Sequence, residues 1–449
     1  MSVETKSISK KTLYLTSFTA ALGGLLFGFD TAVISGATNA ITKYFTLDDT
    51  MLGWAVSSAL IGCLIGSITA GKPGDIFGRR AMLKVMALLF FFSALGTGLA
   101  GNLTLFVMAR FVGGLAIGGA SVLSPMYISE IAPPKLRGRL VATSQLAIVT
   151  GILVAFFSNY LLMDTGENNW RYMFLAGAVP AVLFFILLFF IDQSPRWLVM
   201  VGKKEEARKI IAKLNPDSNA DETINDIERS IGDEKVSKSV KLFKKPYSRL
   251  VWIGVAVGMF NQFTGINTIM YYAPKIFQSA GFSDSAAFLQ TVLVGITNLV
   301  FTLIAMTVID KLGRKFLLMM GSIGMAIFLG LFSYAYMNEA FGGYALLICV
   351  IGFIAFFAAS QGAVIWVILS EMFPNIIRAR GSSIGSFSHW VFNALISFLF
   401  PVISGKIGVA PIFIFYAVAT IIGYFFFRKY LVETKGISLE EIEKASLKQ

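Results

Sequence analysis

Asp75-Ile76-Phe77-Gly78-Arg79-Arg80 separates two long apolar runs, and Asp310-Lys311-Leu312-Gly313-Arg314-Lys315 separates two others. A second pair keeps the same order: Ser129-Glu130 with Arg137, then Ser370-Glu371 with Arg378. One short motif can match by chance, whereas two unlike motifs at nearly constant offsets argue for a duplicated unit. Each copy follows an equivalent run, so the unit holds six runs and the chain holds two units.

Composition agrees. Of 449 residues, 56% are apolar and only 14% charged, with 41 Phe, which excludes a soluble enzyme and places all but one segment in the membrane class. Twelve runs of about 20 residues, each long enough to cross a bilayer, centre near Gly23, Gly62, Phe91, Gly118, Gly151, Leu183, Gln262, Asn298, Met325, Ala358, Asn393 and Ile421. The expected fold is an all-α membrane protein of twelve transmembrane helices in two six-helix pseudo-symmetric bundles. The units are 1–192 and 249–432, joined by a linker at 193–248 and followed by a tail at 433–449. Within the linker, Glu205 to Leu214 and Asp221 to Ile231 carry apolar residues at helical spacing, which predicts two short amphipathic helices, with Asn215-Pro216-Asp217 breaking them.

The net charge of +12 does not point to nucleic acid, because the cations sit in short loops rather than in a patch. Lys72, Arg79, Arg80, Lys84, Lys135, Arg137, Arg139, Lys311, Arg314, Lys315, Arg378, Arg380 and both termini fall on one side; the other holds Lys43, Arg171, Lys275 and Lys406. By the positive-inside rule both ends face the cytoplasm. Lys6, Lys10 and Lys11 precede the first run as in a signal peptide, but no small-residue cleavage site follows, so it is read as the first span. Cys63 and Cys349 lie within spans without metal-ligand spacing. No nucleophile–base pair, metal cluster or phosphate loop is present, so neither an enzyme nor a cofactor is expected.

Span seven is the least ordinary. It reads Asn261-Gln262-Phe263-Thr264-Gly265-Ile266-Asn267-Thr268-Ile269-Met270-Tyr271-Tyr272-Ala273-Pro274. In hydrocarbon an unsatisfied amide costs several kcal/mol, so these groups must face other helices, a wet cavity or a polar ligand. On an ideal helix Gln262 and Asn267 point roughly 140° apart, so a straight helix splits the set; an opening at Thr264-Gly265 would bring the amides onto one cavity. The alternative is a polar helix–helix contact.

These motifs resemble the sugar porter family of the major facilitator superfamily. Gly71-x-x-x-Asp75-x-x-Gly78-Arg79-Arg80 fits the superfamily signature; Arg110-x-x-x-Gly114-x-x-x-Gly118, Ser194-Pro195-Arg196-Trp197-Leu198 and Glu433-Thr434-Lys435-Gly436 look specific to sugar porters. The family's Gln-Gln-x-x-Gly-Ile-Asn stands here as Asn261-Gln262-x-x-Gly265-Ile266-Asn267. The resemblance implies a sugar bound near mid-membrane by Gln145, Gln262, Asn267 and Asn298, with Trp366 and Trp390 completing the site. Asn261, Tyr271 and His389 join this candidate set. Amides offer donors and acceptors to hydroxyls, an indole offers a stacking face, and no Arg or Lys cluster suggests an anion.

Departures from the family pattern are also legible. Asn261 replaces a Gln and is shorter by one methylene. His389 takes a position usually held by an amide; it either titrates near neutral pH or packs as a neutral imidazole, the reading favoured here. Gly362-Ala363 replaces Gly-Pro, which predicts a softer break in span ten. Val432 stands for the usual Pro, and Asp192-Gln193 for Pro-Glu.

Asp30 is an acid within span one and Arg110 a base at the start of span four. The resemblance implies that they pair, that protonation weakens the pair, and that an acid here marks proton symport; a static structural pair is the alternative. Asp75, Arg79, Arg80, Glu130, Arg137, Asp310, Arg314, Glu371 and Arg378 are the expected gating charges on the cytoplasmic side, forming inter-helix pairs that close the inner gate in the outward-facing state and break as one six-span bundle rocks against the other. The expectation is proton-coupled symport of a neutral monosaccharide by a monomer in lipid, in a bacterial inner membrane. An uncoupled facilitator is the nearest rival; a sugar sensor would be expected to carry a long signalling tail.

Overall fold

A computed structural model describes residues 3–133, 136–215, 219–237, 241–338 and 345–435, and among them every regular element is a helix. The first six spans are α1 (Val3–Phe45), α2 (Asp49–Thr69), α4 (Arg79–Gly98), α5 (Leu103–Ile131), α6 (Arg137–Leu162), and the pair α7 (Asn169–Ala176) and α8 (Ala178–Leu187); the short α3 (Gly71–Phe77) links α2 to α4. The second six are the pair α12 (Ser248–Gln262) and α13 (Ile266–Ser279), then α14 (Asp284–Leu312), α15 (Arg314–Met337), α16 (Ala345–Phe357) with α17 (Ala363–Glu371), α18 (Arg378–Ile407) and α19 (Val409–Tyr430). Eleven crossings are long and apolar enough to span by length and composition. The twelfth is span seven, whose two halves of 15 and 14 residues are each too short alone. Span ten is interrupted by a π-helical turn at Ala358–Gly362 rather than by a sharp break, in keeping with Ala363 standing where a proline would open the helix.

The duplication is visible in the backbone. Gly78 (φ 89°, ψ 151°) and Gly313 (φ 93°, ψ 157°) adopt nearly the same conformation, one that L side chains rarely take, each at the first residue before a span. The halves meet where span two packs on span eleven and span eight on span five, contacts that the repeat exchanges, and where α1 meets α13. Within the first half, α2 crosses α5 so closely that a Cβ on Gly62 would strike the carbonyl of Phe111 and the Cα of Gly114. That crossing explains the glycine spacing after Arg110: residues four apart share one helix face.

The first and last described residues, Val3 and Lys435, lie on one face of the bundle with the described residues of the 69–80, 132–137, 189–250, 311–315 and 372–378 connections. Large apolar side chains such as Phe92, Val179, Phe190, Trp252, Phe415 and Phe425 are exposed around the outside, as a multi-pass membrane protein requires. The linker forms α9 (Pro195–Met200), α10 (Lys204–Leu214) and α11 (Ala220–Ser237) around a small core of Leu198, Val199, Ala207, Ile211 and Ile224. The two expected amphipathic helices are α10 and α11; Pro216-Asp217, Lys135 and most of the tail from Gly436 lie outside the described residues.

Candidate functional site

Span seven opens where its sequence suggested. Gly265 takes the left-handed conformation (φ 79°), and a Cβ there would strike the ring of Tyr416. Thr264 Oγ1 donates to the carbonyl of Asn261 (2.8 Å), satisfying one acceptor that the helix end leaves open. The turn brings the divergent amides together: Asn267 Nδ2 donates to Gln262 Oε1 (2.7 Å), and Gln262 Nε2 donates to Asn261 Oδ1 (3.0 Å). Gln262 Nε2 also lies 3.0 Å from His389 Nδ1, and Asn261 Nδ2 donates to Gln361 Oε1 (3.4 Å).

These groups border a cavity of about 120 Å³ between the halves, room for about four waters at about 30 Å³ each. All nine expected binding residues line it: Gln145, Asn261, Gln262, Asn267, Tyr271, Asn298, Trp366, His389 and Trp390. No charged side chain does. The rings of Trp366 and Trp390 stand 4.9 and 5.4 Å from that of His389, and Phe27 reaches Trp390 from the other half at 5.6 Å. The reading missed Asn393, which donates to Tyr271 Oη (3.3 Å), and Gln361 behind Asn261. Both are amides in apolar runs, the same signal that singled out span seven.

Asp30 and Arg110 sit beside this cavity rather than in its wall. Arg110 Nη1 bonds Asp30 Oδ1 (3.0 Å) and the carbonyl of Asp30 (3.1 Å), with Phe174 beneath the guanidinium at 5.5 Å. Both are buried, Arg110 to 2% exposure and Asp30 to 9%. A water-sized void lined by Thr31, Arg110 and Tyr271 adjoins them, and Thr31 and Tyr271 also border the large cavity.

The expected gating charges form two clusters, each inside one half. Arg79 bonds Asp75 (2.9 Å) and Glu130 (3.1 Å), and Ser194 donates to Glu130. Arg314 bonds Asp310 (2.9 Å) and Glu371 (3.2 Å), and Thr434 donates to Glu371. Arg80 donates to the carbonyls of Leu188 and Phe189, Arg378 to that of Phe373, and Arg137 is exposed. At Glu433 burial raises the carboxyl pKa, but four backbone N–H donors, of Arg314, Lys435, Lys315 and Thr434, outweigh it and hold the group below its ordinary value. On the face opposite the termini, Asn39 donates to Gln278 across the halves, with Gln278 Nε2 held by Asp284 (2.9 Å). A Cβ on Gly53 of α2 would likewise strike the carbonyl of Phe398 on α18.

Two interrupted helices thus border one uncharged amide cavity, with a buried ion pair alongside. The family model described as "Sugar (and other) transporter" matches residues 16–445. The chain belongs to the sugar porter family of the major facilitator superfamily. This sugar porter is 39% identical to the arabinose-proton symporter of Bacillus subtilis over 99% of its own length and 97% of the relative's. It is also 39% identical to the D-xylose-proton symporter of Escherichia coli, covering 96% and 95%. The structure of the E. coli xylose transporter XylE in a partially occluded inward open conformation superposes with a TM-score of 0.86 at 36% identity, covering 95% of this sugar porter and 100% of that chain. It is a non-enzymatic membrane transporter.

Proposed function

We propose that this sugar porter couples uptake of a neutral monosaccharide, first among them arabinose or xylose, to the inward movement of a proton. The observation that carries the reading is the pairing of an uncharged, amide-lined cavity with a buried Asp30–Arg110 pair that is adjacent to it but separate. Gln145 and Asn298 line the cavity and offer the sugar hydroxyls amides with no hydrogen-bond partner among the described residues, while Asn261, Gln262 and Asn267 exchange some of their mutual bonds for it. The relatives' names, each a sugar–proton symporter, support both ligands.

The cross-half contacts of Asn39 with Gln278 and of Gly53 with Phe398, and the likeness to a partially occluded inward open structure, support an inward-facing reading of the conformation. With the positive-inside orientation the face opposite the termini is external, so the protein lies in the inner membrane of a bacterium with both termini cytoplasmic. The units 1–192 and 249–432 rock about the cavity as bodies, each braced by its own Arg–Glu cluster, and the chain works as a monomer in lipid. Protonating Asp30 removes the charge that holds Arg110, loosening α1 from α5 in the half that must move. Return of the empty carrier then requires the proton to leave, which ties one proton to one sugar cycle.

The test is labelled-sugar uptake into proteoliposomes with and without an inward proton gradient, using arabinose, xylose, glucose and galactose in parallel. Accumulation that needs the gradient supports symport; equilibration alone would make the protein a facilitator.

A further inference from the structure

Asp30 uses only one of its carboxylate oxygens. Oδ1 is taken by Arg110, while Oδ2 is buried and meets no donor among the described residues. Three other polar atoms nearby share that condition: Arg110 Nε, and the hydroxyls of Ser93 and Thr97 on α4. Ser93 and Thr97 are each 1% exposed and one helical turn apart. Gly113 on α5 shows how these groups are arranged: a Cβ built there would strike Ser93 Oγ and come within 3.1 Å of Asp30 Oδ2. The hydroxyl and the free carboxylate oxygen converge on the bare backbone of Gly113 in a narrow polar recess that has no room for a side chain. Buried polar atoms are almost always partnered, by protein or by water, and a polar recess of this kind suits a bridging water. The recess lies inside the first half, on the side of Asp30 away from the sugar cavity, whose lining includes neither Ser93, Gly113 nor Asp30.

Resting on the symport reading above, we infer that Ser93 is a proton-relay residue for Asp30, acting through water in the recess at Gly113, with Thr97 next along α4 toward the external face. The step balances without any other reagent. A proton arriving on water from the Thr97 side passes to Ser93 Oγ as the Ser93 hydroxyl proton passes to the bridging water and one of that water's protons passes to Asp30 Oδ2, so that Ser93 and the bridging water end as they began. A hydroxyl suits the role because it donates to the carboxylate and accepts from the protonated acid. The charged and titratable neighbours are Arg110 on α5, Cys63 on α2 and Tyr271 on α13, with Arg171 of α7 capping the carbonyl of Gly98 beyond Thr97 (2.9 Å). None of them occupies the recess.

The experiment compares the native full chain with Ser93→Ala, Ser93→Thr and Gly113→Ala in proteoliposomes, reading proton-driven xylose or arabinose accumulation, sugar-evoked proton flux and sugar counterflow. Ser93→Ala should slow proton flux and driven uptake by at least roughly tenfold, the low end for loss of a proton-transfer group, with counterflow kept. Ser93→Thr should retain coupling. Gly113→Ala, which keeps every polar group but forces Ser93 Oγ from its place beside Asp30 Oδ2, should reproduce Ser93→Ala. Native accumulation matched by both Ser93→Ala and Gly113→Ala would overturn the relay while leaving symport intact. Equal loss of counterflow and driven uptake in Ser93→Ala would overturn it too, by showing a packing role. Absence of driven accumulation in the native protein would remove the symport reading itself, and the relay with it.

Discussion

The two halves carry the same brace at the termini face and different interiors, and the contrast assigns them different work. In each half an arginine just after a left-handed-region glycine bonds an acid one turn back and a glutamate at the end of the fourth or tenth span, and a hydroxyl following the last span completes the glutamate. Inside, the first half buries an ion pair, Asp30–Arg110, whereas the second buries a chain of neutral amides around a broken helix. Duplication supplied a common scaffold; on the proposed reading the proton chemistry sits in one copy and most of the sugar chemistry in the other.

The braces are not equally buried. The side chains of Arg79 and Glu130 are 4% and 6% exposed, those of Arg314 and Glu371 13% and 24%. Removing one member of a well-buried pair leaves an uncompensated charge and costs about 3–5 kcal/mol, so Arg79→Ala should lower the thermal midpoint of the purified protein far more than Arg314→Ala, for which about 1–2 kcal/mol is expected from partial solvent screening. Equal losses would show that the halves brace alike. Gln262→Ala should weaken sugar binding by about 1–3 kcal/mol, roughly five- to 150-fold, because it orphans Asn267, Asn261 and His389 together; quenching of Trp366 and Trp390 fluorescence reads it. Unchanged affinity would move the sugar out of this cavity.

The smallest effect concerns Glu433 and its counterpart. Glu433 accepts from the backbone N–H of Arg314 (2.9 Å) and Lys315 (3.0 Å) at the start of α15, and the equivalent position beside Gly78 holds Gln193, whose Oε1 is buried without a partner. Because the Glu433 carboxyl is held below its ordinary value of 4.5, its contribution is full above that pH and fades as pH falls through the lower folded-state value. Glu433→Gln should flatten that part of the stability–pH curve. Gln193→Glu should add about 0.3–1 kcal/mol near neutrality, making the first brace a closer copy of the second; a loss of stability would mean that the recess beside Gly78 cannot take a charge.

Much of this was legible in the sequence because membranes enforce simple rules. Length and apolarity located the crossings, and two motifs in register located the repeat. The span-seven amides were legible because an amide in hydrocarbon must be explained, and Thr264-Gly265 marked a place where that span could turn; Gln145, Asn298, Trp366 and Trp390 were legible only through the family resemblance. What escaped has a physical cause. Asn393 and Gln361 carry no motif, and their role depends on which face of α18 and of the π-helical turn points inward, which a bulge shifts. That each Arg–Glu cluster closes within one half, rather than across the two, depends on the packing of α4 on α5 and of α15 on α17. The orphan oxygen of Asp30 is a matter of side-chain direction, which no spacing encodes.

The central claim is that the first half carries the proton and the second the sugar, and Asp30→Asn tests it most directly. The substitution keeps the shape of the acid and abolishes its charge. In proteoliposomes under an inward proton gradient the native protein should concentrate xylose or arabinose, while Asp30→Asn should bind the sugar with native affinity and exchange it by counterflow yet fail to accumulate it. Gradient-driven accumulation in Asp30→Asn, or loss of sugar binding with it, would contradict the separation of the two sites.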